Sequence, residues 1–277
     1  MGLLGAHVSI SGGVSNAPQR GLDIGCEAIQ IFSKNQMQWD APPMKKEEVE
    51  GFRESIRKSK LGTIIHDSYL INLASKDPKL LKRSREGFVE EIRRAAALGI
   101  ELLNFHPGAH MGTGEEAGIK NIAESLNWCH SRTEGLKVVS VLENMAGQGS
   151  VLGGKWEHLA GIIDLVEEKR RVGICIDTCH TYAAGHDIVN DYEGVFRQID
   201  SIIGLKKVKA FHINDAKNGL GSHLDRHEEI GHGKIGKEFF RKLVNDKRFE
   251  DVPMILETPG GESWYKKNLV LLKSLRK

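Results

Sequence analysis

One spacing constrains the fold of this sequence more than any other feature. Short runs rich in β-branched and other apolar residues recur at 3–9 (LLGAHVS), 28–33 (AIQIFS), 62–67 (GTIIHD) and 100–106 (IELLNFH). They continue at 137–143 (KVVSVLE), 171–177 (RVGICID), 207–213 (KVKAFHI) and 252–257 (VPMILE). Their starts lie roughly 25–45 residues apart, the spacing of strand–helix units. The intervening segments show helical period. Asp77 followed by Pro78 reads as an N-cap with proline at the first helical position; Phe88, Val89, Ile92 and Ala96 then share a face, and Gly99 stops the helix. Further stripes are Ile119/Ile122/Ala123/Leu126, Trp156/Leu159/Ile163/Val166 and Tyr192/Val195/Phe196/Ile199/Ile203. Phe239/Phe240/Leu243 and Leu269/Leu272/Leu275 suggest two more, whereas 14–24, interrupted by Pro18 and Gly21, is weakly helical. Eight strands alternating with eight helices predict an α/β chain folded as a (β/α)₈ TIM barrel, a single domain over 1–277. A doubly wound open sheet is the alternative, but it usually carries fewer strands.

Composition narrows the class. With 40% apolar and 27% charged residues in 277, the chain is ordinary for a soluble globular protein and is not disordered. No apolar run approaches the ~18 residues of a membrane span. The N-terminus, MGLLGAHVSI, lacks the features of a signal peptide, so the expectation is a cytoplasmic protein without a membrane partner. Cys26, Cys129, Cys175 and Cys179 form no C-x-x-C pair and read as reduced core residues; Cys179, between Asp177 and His180, is the one near other chemistry. Lysine and arginine total 39 against 37 acids, a net charge of +2 that does not itself advertise nucleic-acid binding. Any polyanion site must obtain its positive charge locally.

The residues at the strand ends supply a way. In order they are His7, Ser33, His66, His106, Glu143, Asp177, His212 and Glu257. In a barrel these side chains converge on the C-terminal mouth, where the fold places its active sites. Six of them (His66, His106, Glu143, Asp177, His212, Glu257) are good metal ligands. Any one alone is more often a hydrogen-bonded polar group, but three carboxylates brought together repel one another unless cations sit between them. His180 follows Asp177 by one turn, and Asp225 and His227, spaced D-x-H, lie in the glycine-rich stretch 214–236. In an extended segment that spacing places both on one side. His223 and His232 are neighbours able to take the same part; His110, His130, His158 and His186 are expected on helices or loops without metal, and the role of His7 is open. Nine candidate ligands are too many for one zinc. They suit two or three Zn²⁺, Mn²⁺ or Fe²⁺ ions with a bridging carboxylate. Three divalent ions against Glu143, Asp177, Asp225 and Glu257 leave the site about +2, an anion trap suited to phosphate chemistry.

At these residues the sequence resembles the endonuclease IV family of metal-dependent apurinic/apyrimidinic endonucleases. The resemblance covers nearly the whole chain: GAHVS at 5–9, IFSKNQMQW at 31–39, HDSYLINL at 66–73, NFHPGAH at 104–110 and LENMAGQGS at 142–150. GICIDTCH at 173–180, FHINDAKNGLGSHLDRHEEIGHGKIG at 211–236 and ILET at 255–258 complete it. It implies a TIM barrel with three zinc ions per chain, Mn²⁺ or Fe²⁺ being an option at one position. His66, His106 and Glu143 would hold the first ion. Glu143, Asp177, His212 and Glu257 would hold the second, and His180, Asp225 and His227 the third. Glu143, as the bridge, and Glu257, as the group beside the nucleophile, are implied catalytic residues. The implied activity is hydrolysis of the phosphodiester 5′ to an abasic site in duplex DNA, leaving a 3′-hydroxyl and a 5′-deoxyribose phosphate, with trimming of blocked 3′ ends. The residues matching the family's lesion-reading loops are Asn35, Gln36, Met37, Tyr69 and Leu70; taken alone, Tyr69 and Leu70 read as helix-start packing. Relatives often carry arginine at the position of Met37. A methionine still wedges between bases but brings no charge to the backbone.

Two other readings use the same residues. A metal-dependent sugar isomerase is also a barrel with histidine and carboxylate ligands, but typically needs two ions, and Asp225 with His227 then has no role. A metal-stabilised scaffold would hold a closed, often thiolate-rich site rather than one open at a barrel mouth. No obligate protein partner is implied, and a barrel of this size is expected to act as a monomer.

Overall fold

A computed structural model describes residues 1–277. Strands β1 (Leu3–His7), β2 (Ala28–Phe32), β3 (Gly62–His66), β4 (Leu102–Phe105), β5 (Val139–Glu143), β6 (Val172–Asp177) and β7 (Val208–His212) are followed by two short strands, β8 (Asp215–Ala216) and β9 (His227–Glu228), and by β10 (Pro253–Leu256). The helices are α1 (Ala17–Ile24), α2 (Lys46–Ser59), α3 (Pro78–Leu98), α4 (Glu115–Ser131), α5 (Trp156–Leu165), α6 (Thr178–Ala183), α7 (Tyr192–Ile202), α8 (Lys237–Val244) and α9 (Gly261–Ser274). The closed barrel runs β1-β10-β7-β6-β5-β4-β3-β2, every pair parallel, while β8 and β9 form a separate antiparallel ribbon. This is the TIM barrel that the strand spacing predicts. No helix is long and apolar enough to cross a membrane.

The eight barrel strands lie inside the eight sequence runs but are shorter, most visibly 102–105 within 100–106. His106 and Glu257 therefore sit one residue past their strands instead of closing them. The β-rich alphabet outlasts the ladder because the last residues of each run turn their side chains into the mouth. The weak segment 14–24 does contain α1. Pro18 falls in its first turn, where no backbone donor is needed, and a Cβ on Gly21 would meet Ile29 Cγ2 at 2.4 Å. That glycine allows close packing on β2 at the cost of a clear helical signal. Asp77 caps α3 as expected, accepting from the amides of Lys79 and Leu80, and Gly99 ends it at φ 75°.

Period-two alternation within the barrel sets up everything above it. Ala28, Ile64, Val141, Cys175, Ala210 and Ile255 point inward and form an apolar plug, separate from the larger core between strands and helices. Two residues further along the same strands the inward positions are Gln30, His66, Glu143, Asp177, His212 and Glu257. The plug thus fixes the level at which the polar layer begins. Strand closure is tight at Gly5, where a Cβ would lie 1.9 Å from the carbonyl oxygen of Ala28.

At the opposite end of the barrel, just before β6, the buried Arg171 guanidinium donates to the carbonyls of Val138, His130 and Thr133 and to Thr133 Oγ1, at 2.9–3.2 Å. It satisfies carbonyls at the end of α4 and ties them to the start of β5. Arg171→Met should lower unfolding free energy by about 3 kcal/mol in chemical denaturation, since hydrogen bonds to a charged group are each worth about 1.5–3 kcal/mol and water restores part of the loss. Metal content and catalytic rate of the folded fraction should be unchanged. A loss below about 0.5 kcal/mol would show that this network is not a structural tie.

Candidate metal centre

The inward positions above the plug bring the strand-end residues into contact, and loops supply the rest. Ligand atoms of His66, His106 and Glu143 lie within 4.8 Å of one another, as do those of Glu143, Asp177, His212 and Glu257, and those of His180, Asp225 and His227. Glu143 belongs to two groups and faces both. Its Oε2 is 3.5 Å from His66 Nε2 and 3.6 Å from His106 Nε2, while Oε1 is 3.2 Å from His180 Nδ1 and 3.1 Å from His212 Nδ1. His180 stands in the first turn of α6, which begins directly after β6 because Asp177 accepts the amide of His180 as its N-cap. Asp225 and His227 arrive from the excursion between β7 and α8. There Asp225 Oδ1 lies 3.2 Å from His180 Nε2 and 3.4 Å from His227 Nε2.

The donor chemistry shows what this space is built to hold. His66 Nδ1 donates to the carbonyl of Asp67, His180 Nδ1 to that of Asn144, and His227 Nδ1 to that of Glu257. Each bond places the proton on one ring nitrogen and leaves a lone pair on the other. Those lone pairs face carboxylates: His66 Nε2 faces Glu143, His180 Nε2 faces Asp225, and His227 Nε2 faces Asp177 Oδ2 at 3.6 Å. His180 Nε2, His212 Nδ1, His227 Nε2 and Glu143 Oε1 are all buried without a hydrogen-bond partner. Acceptor facing acceptor in a buried site is repulsive unless cations lie between, so the residues present fit a multinuclear metal centre. The ionisation equilibria are strained in the same way. Burial pushes His106 down to about 4, whereas for His180 the opposing pull of burial is overcome by Asp177, Asp225 and Glu143, which raise it well above the usual histidine range. Burial alone would raise Glu143, but His212 and His106 hold it well below the carboxylate range.

Side-chain amides brace the ligands, and sequence reasoning missed them. Gln30 Nε2 donates to Glu257 Oε1 at 2.6 Å while its Oε1 accepts from His212 Nε2 at 2.8 Å, leaving His212 Nδ1 as the free lone pair. Asn104 donates to Glu143 Oε2 at 2.6 Å. Asn144 accepts from the amide of Asp177, and Asn214 donates to Asp177 Oδ2 and accepts from the amide of Glu257. Counting in twos along β2 and β4 would have found Gln30 and Asn104. His7 lies with Nδ1 3.3 Å from Glu257 Oε1, against the ligand carboxylate.

Other candidates fall outside the clusters. His223 is spent on the carbonyl of Ala146, His130 on Ser140, and His232 packs edge-on against Trp264. Cys179 is the exception: its Sγ lies within 4.8 Å of ligand atoms of Asp177 and His227, and burial pushes the thiol up to about 12. Around the mouth, Tyr69 is 51% exposed yet its ring centroid is 5.3 Å from that of His66 and 5.7 Å from that of His106; Met37 is 62% exposed. Tyr69 and Leu70 lie in the loop after β3, well before α3 begins at Pro78.

Comparison with known proteins identifies the lineage of this barrel. The family model described as a xylose isomerase-like TIM barrel matches residues 19–275. The chain is 49% identical over 265 residues to a protein of Phocaeicola vulgatus named probable endonuclease 4, covering 94% of this chain and 95% of that one. Among solved structures it is similar to endonuclease IV from Thermus thermophilus, with a TM-score of 0.87, 34% identity and coverage of 99% and 98% of the two chains. A D-tagatose 3-epimerase-like protein shares the fold at a TM-score of 0.76 and 21% identity over 98% of this chain and 96% of that chain. The shared barrel with the sugar epimerase-like protein speaks to architecture alone, whereas the 49% and 34% matches run the length of both chains, and the chain belongs to the endonuclease 4 family of xylose isomerase-like TIM barrels.

Proposed function

We propose that this chain is a DNA-repair endonuclease that hydrolyses the phosphodiester 5′ to abasic sites in duplex DNA and trims blocked 3′ ends. The observation that carries the reading is the third ligand group. His180, Asp225 and His227 add a further cation position beside the two that share Glu143, more than a two-ion sugar isomerase requires. The family membership of the chain supports the same substrate class.

Three divalent ions, zinc by the family resemblance with Mn²⁺ or Fe²⁺ also suited to these donors, would be held by the three groups and would supply charge neutralisation of the phosphate and an activated water near neutral pH. The protein's own groups then organise an in-line displacement. The water oxygen bonds to phosphorus as the bond from phosphorus to the upstream 3′ oxygen breaks; one product keeps a 3′-hydroxyl and the other a 5′-deoxyribose phosphate. Glu257 suits the position beside the water. Its side chain is 16% exposed to the mouth, whereas Glu143 is 1% and Asp177 0% exposed, and its orientation is held by Gln30 and His7. Glu143, sealed beneath, belongs to two of the ligand groups and would help to hold an ion in each. Recognition falls to the loops after β2 and β3, with Asn35, Gln36, Met37, Tyr69 and Leu70. An abasic nucleotide has lost its stacking partner and costs least to extrude, and exposed apolar side chains are suited to fill the gap. The chain works on DNA without a second protein.

Three outcomes test this reading. Elemental analysis of gently purified protein should give close to three zinc ions per chain, and incision of a duplex with one abasic analogue should need no added Mg²⁺ and stop on chelation; a ratio of one or less in active protein overturns the trinuclear centre. Glu257→Gln keeps shape and removes a charged group, so incision should fall by at least about 10³ with DNA affinity far less affected; cleavage within tenfold of wild type would remove Glu257 from the reaction centre. Met37→Ala should weaken discrimination between abasic and intact duplex without altering the salt dependence of binding, whereas Met37→Arg should steepen that log–log slope by about one unit, the signature of one new phosphate contact. Wild-type isotherms for both variants across a salt series would show that this loop does not read the lesion.

A further inference from the structure

The segment 33–45 joins β2 to α2 without secondary structure of its own and contains Asn35, Gln36 and Met37. Trp39 and Met44 pack against the main core, while a cavity of about 400 Å³ lined by Ser33, Lys34, Asn35, Gln38 and Pro42 lies along the rest of it. Polar bonds from α3 fix the backbone around that cavity. The buried Arg94 guanidinium donates from Nε to Ser33 Oγ at 2.9 Å, from Nη2 to the Ser33 carbonyl at 2.6 Å and from Nη1 to the Pro42 carbonyl at 3.2 Å. One side chain thus grips both ends of the segment. Glu91, also buried, accepts from Ser33 Oγ at 2.6 Å and pairs with Lys34 Nζ at 3.3 Å, and Lys34 donates on to the Trp39 carbonyl at 3.0 Å. Lys34 and Glu91 side chains are 4% and 1% exposed. The arrangement leaves the tip presented outward, with Asn35 Oδ1 accepting the amide of Met37. A single cross-link, from Ser68 Oγ to the carbonyl of Gln36 at 2.7 Å, couples it to the loop that carries Tyr69 and Leu70.

A desolvated ion pair of this kind adds little net stability compared with well-packed apolar residues, but it specifies one conformation of the backbone it touches. A flexible segment of this length would have to be ordered each time it met a duplex, and that cost would weaken binding. We propose that Glu91 and Arg94 of α3 are positioning residues for damage recognition: with Lys34 they clamp segment 33–42 in its DNA-reading shape before substrate arrives. The inference rests on the reading of residues 35–37 as DNA contacts. Neither Glu91 nor Arg94 is among the metal-ligand clusters, so the clamp acts on binding and leaves the chemical step alone.

The test uses the zinc-loaded protein and a duplex with one tetrahydrofuran abasic analogue. Arg94→Lys keeps the charge but cannot reach Ser33 and Pro42 together; Glu91→Gln keeps size and loses the ion pair. In both variants KM should rise about tenfold, on the scale of ordering a few more groups on binding, with kcat within about threefold of wild type. Zinc per chain should be unchanged, and hydrogen exchange of segment 33–45 in the free protein should be faster. If Glu91→Gln fails to fold, Arg94→Lys decides the matter. Wild-type KM in a variant whose segment exchanges faster overturns the proposal, and so does unchanged exchange. Met37→Ala separates the two readings: if it discriminates as wild type does, residues 35–37 are not DNA contacts and the clamp has nothing to position. If Met37→Ala loses discrimination while Arg94→Lys and Glu91→Gln keep wild-type KM, only the clamp is overturned.

Discussion

Four carboxylates and five imidazoles meet in one small volume at the mouth of this barrel, and their lone pairs face one another. That mutual repulsion is the constraint on which the rest of the structure depends. A cluster of this kind drifts apart, or takes up protons, unless rigid surroundings hold it, because each buried acceptor without a donor or cation costs free energy on the scale of a lost hydrogen bond or more. The surroundings here are graded. An apolar plug fixes the height and register of the strands, the amides of Gln30, Asn104 and Asn214 orient the carboxylates while Asn144 holds the backbone of Asp177, and backbone carbonyls set the tautomers of three histidines. Rigidity comes from strands below and hydrogen bonds around, so the ligand set is organised for metal by the fold rather than by the metal alone.

The site divides its work between strands and loops in the way that (β/α)₈ barrels allow. Groups that must not move, Glu143 and Asp177 above all, close strands and are sealed from solvent. Groups proposed to meet DNA sit on the loops after β2 and β3, half exposed, with the Tyr69 ring 5.3 Å from that of His66 and 5.7 Å from that of His106. The small net charge of +2 is compatible with a polyanionic substrate if positive charge is supplied locally, as divalent ions in the ligand groups would do.

The sequence made the barrel legible because eight β-rich runs at regular spacing leave few topologies. Six of the nine candidate ligands were legible because a strand end in a barrel is a position in space as well as in the chain, and the structure brings them together. What was not legible had physical reasons. Strand limits were overrun at 100–106 and 252–257, where the ligand-bearing residues keep strand-like composition after the ladder has ended. The helix α1 was weak because Gly21 serves packing against Ile29 and not helical propensity. The bracing amides were passed over because an asparagine or glutamine has no chemistry of its own to flag it; only the period-two count that places Glu143 above Val141 also places Gln30 above Ala28. The grouping of ligands came from the family resemblance, since sequence spacing says which residues reach the mouth and not which of them share an ion. The buried link between Ser33, Lys34, Glu91 and Arg94 spans some sixty residues of chain, a separation at which no local pattern signals a contact.

The third ligand group shows how a common barrel acquires a particular chemistry. The first two groups need only residues at or just past the ends of strands, positions that every barrel of this type possesses. The third needs Asp225 and His227 carried back over the mouth by an excursion between β7 and α8, and such a segment must be closed at its base. Asp215 does this. Its buried carboxylate accepts from the amides of Ala216, Gly231 and Ile235, at 2.8–2.9 Å, so the outgoing and returning chains are tied to one side chain. Gly233 permits the closure, because a Cβ there would stand 2.4 Å from Asp215 Oδ1 and 2.5 Å from the carbonyl of Ala216. The β8–β9 ribbon continues the tie up to His227 itself. This self-closed excursion therefore brings Asp225 and His227 to His180 and completes the third ligand group. On the proposed reading a third cation would thus be held by groups that lie beyond the strands, with no further ligand drawn from the barrel itself.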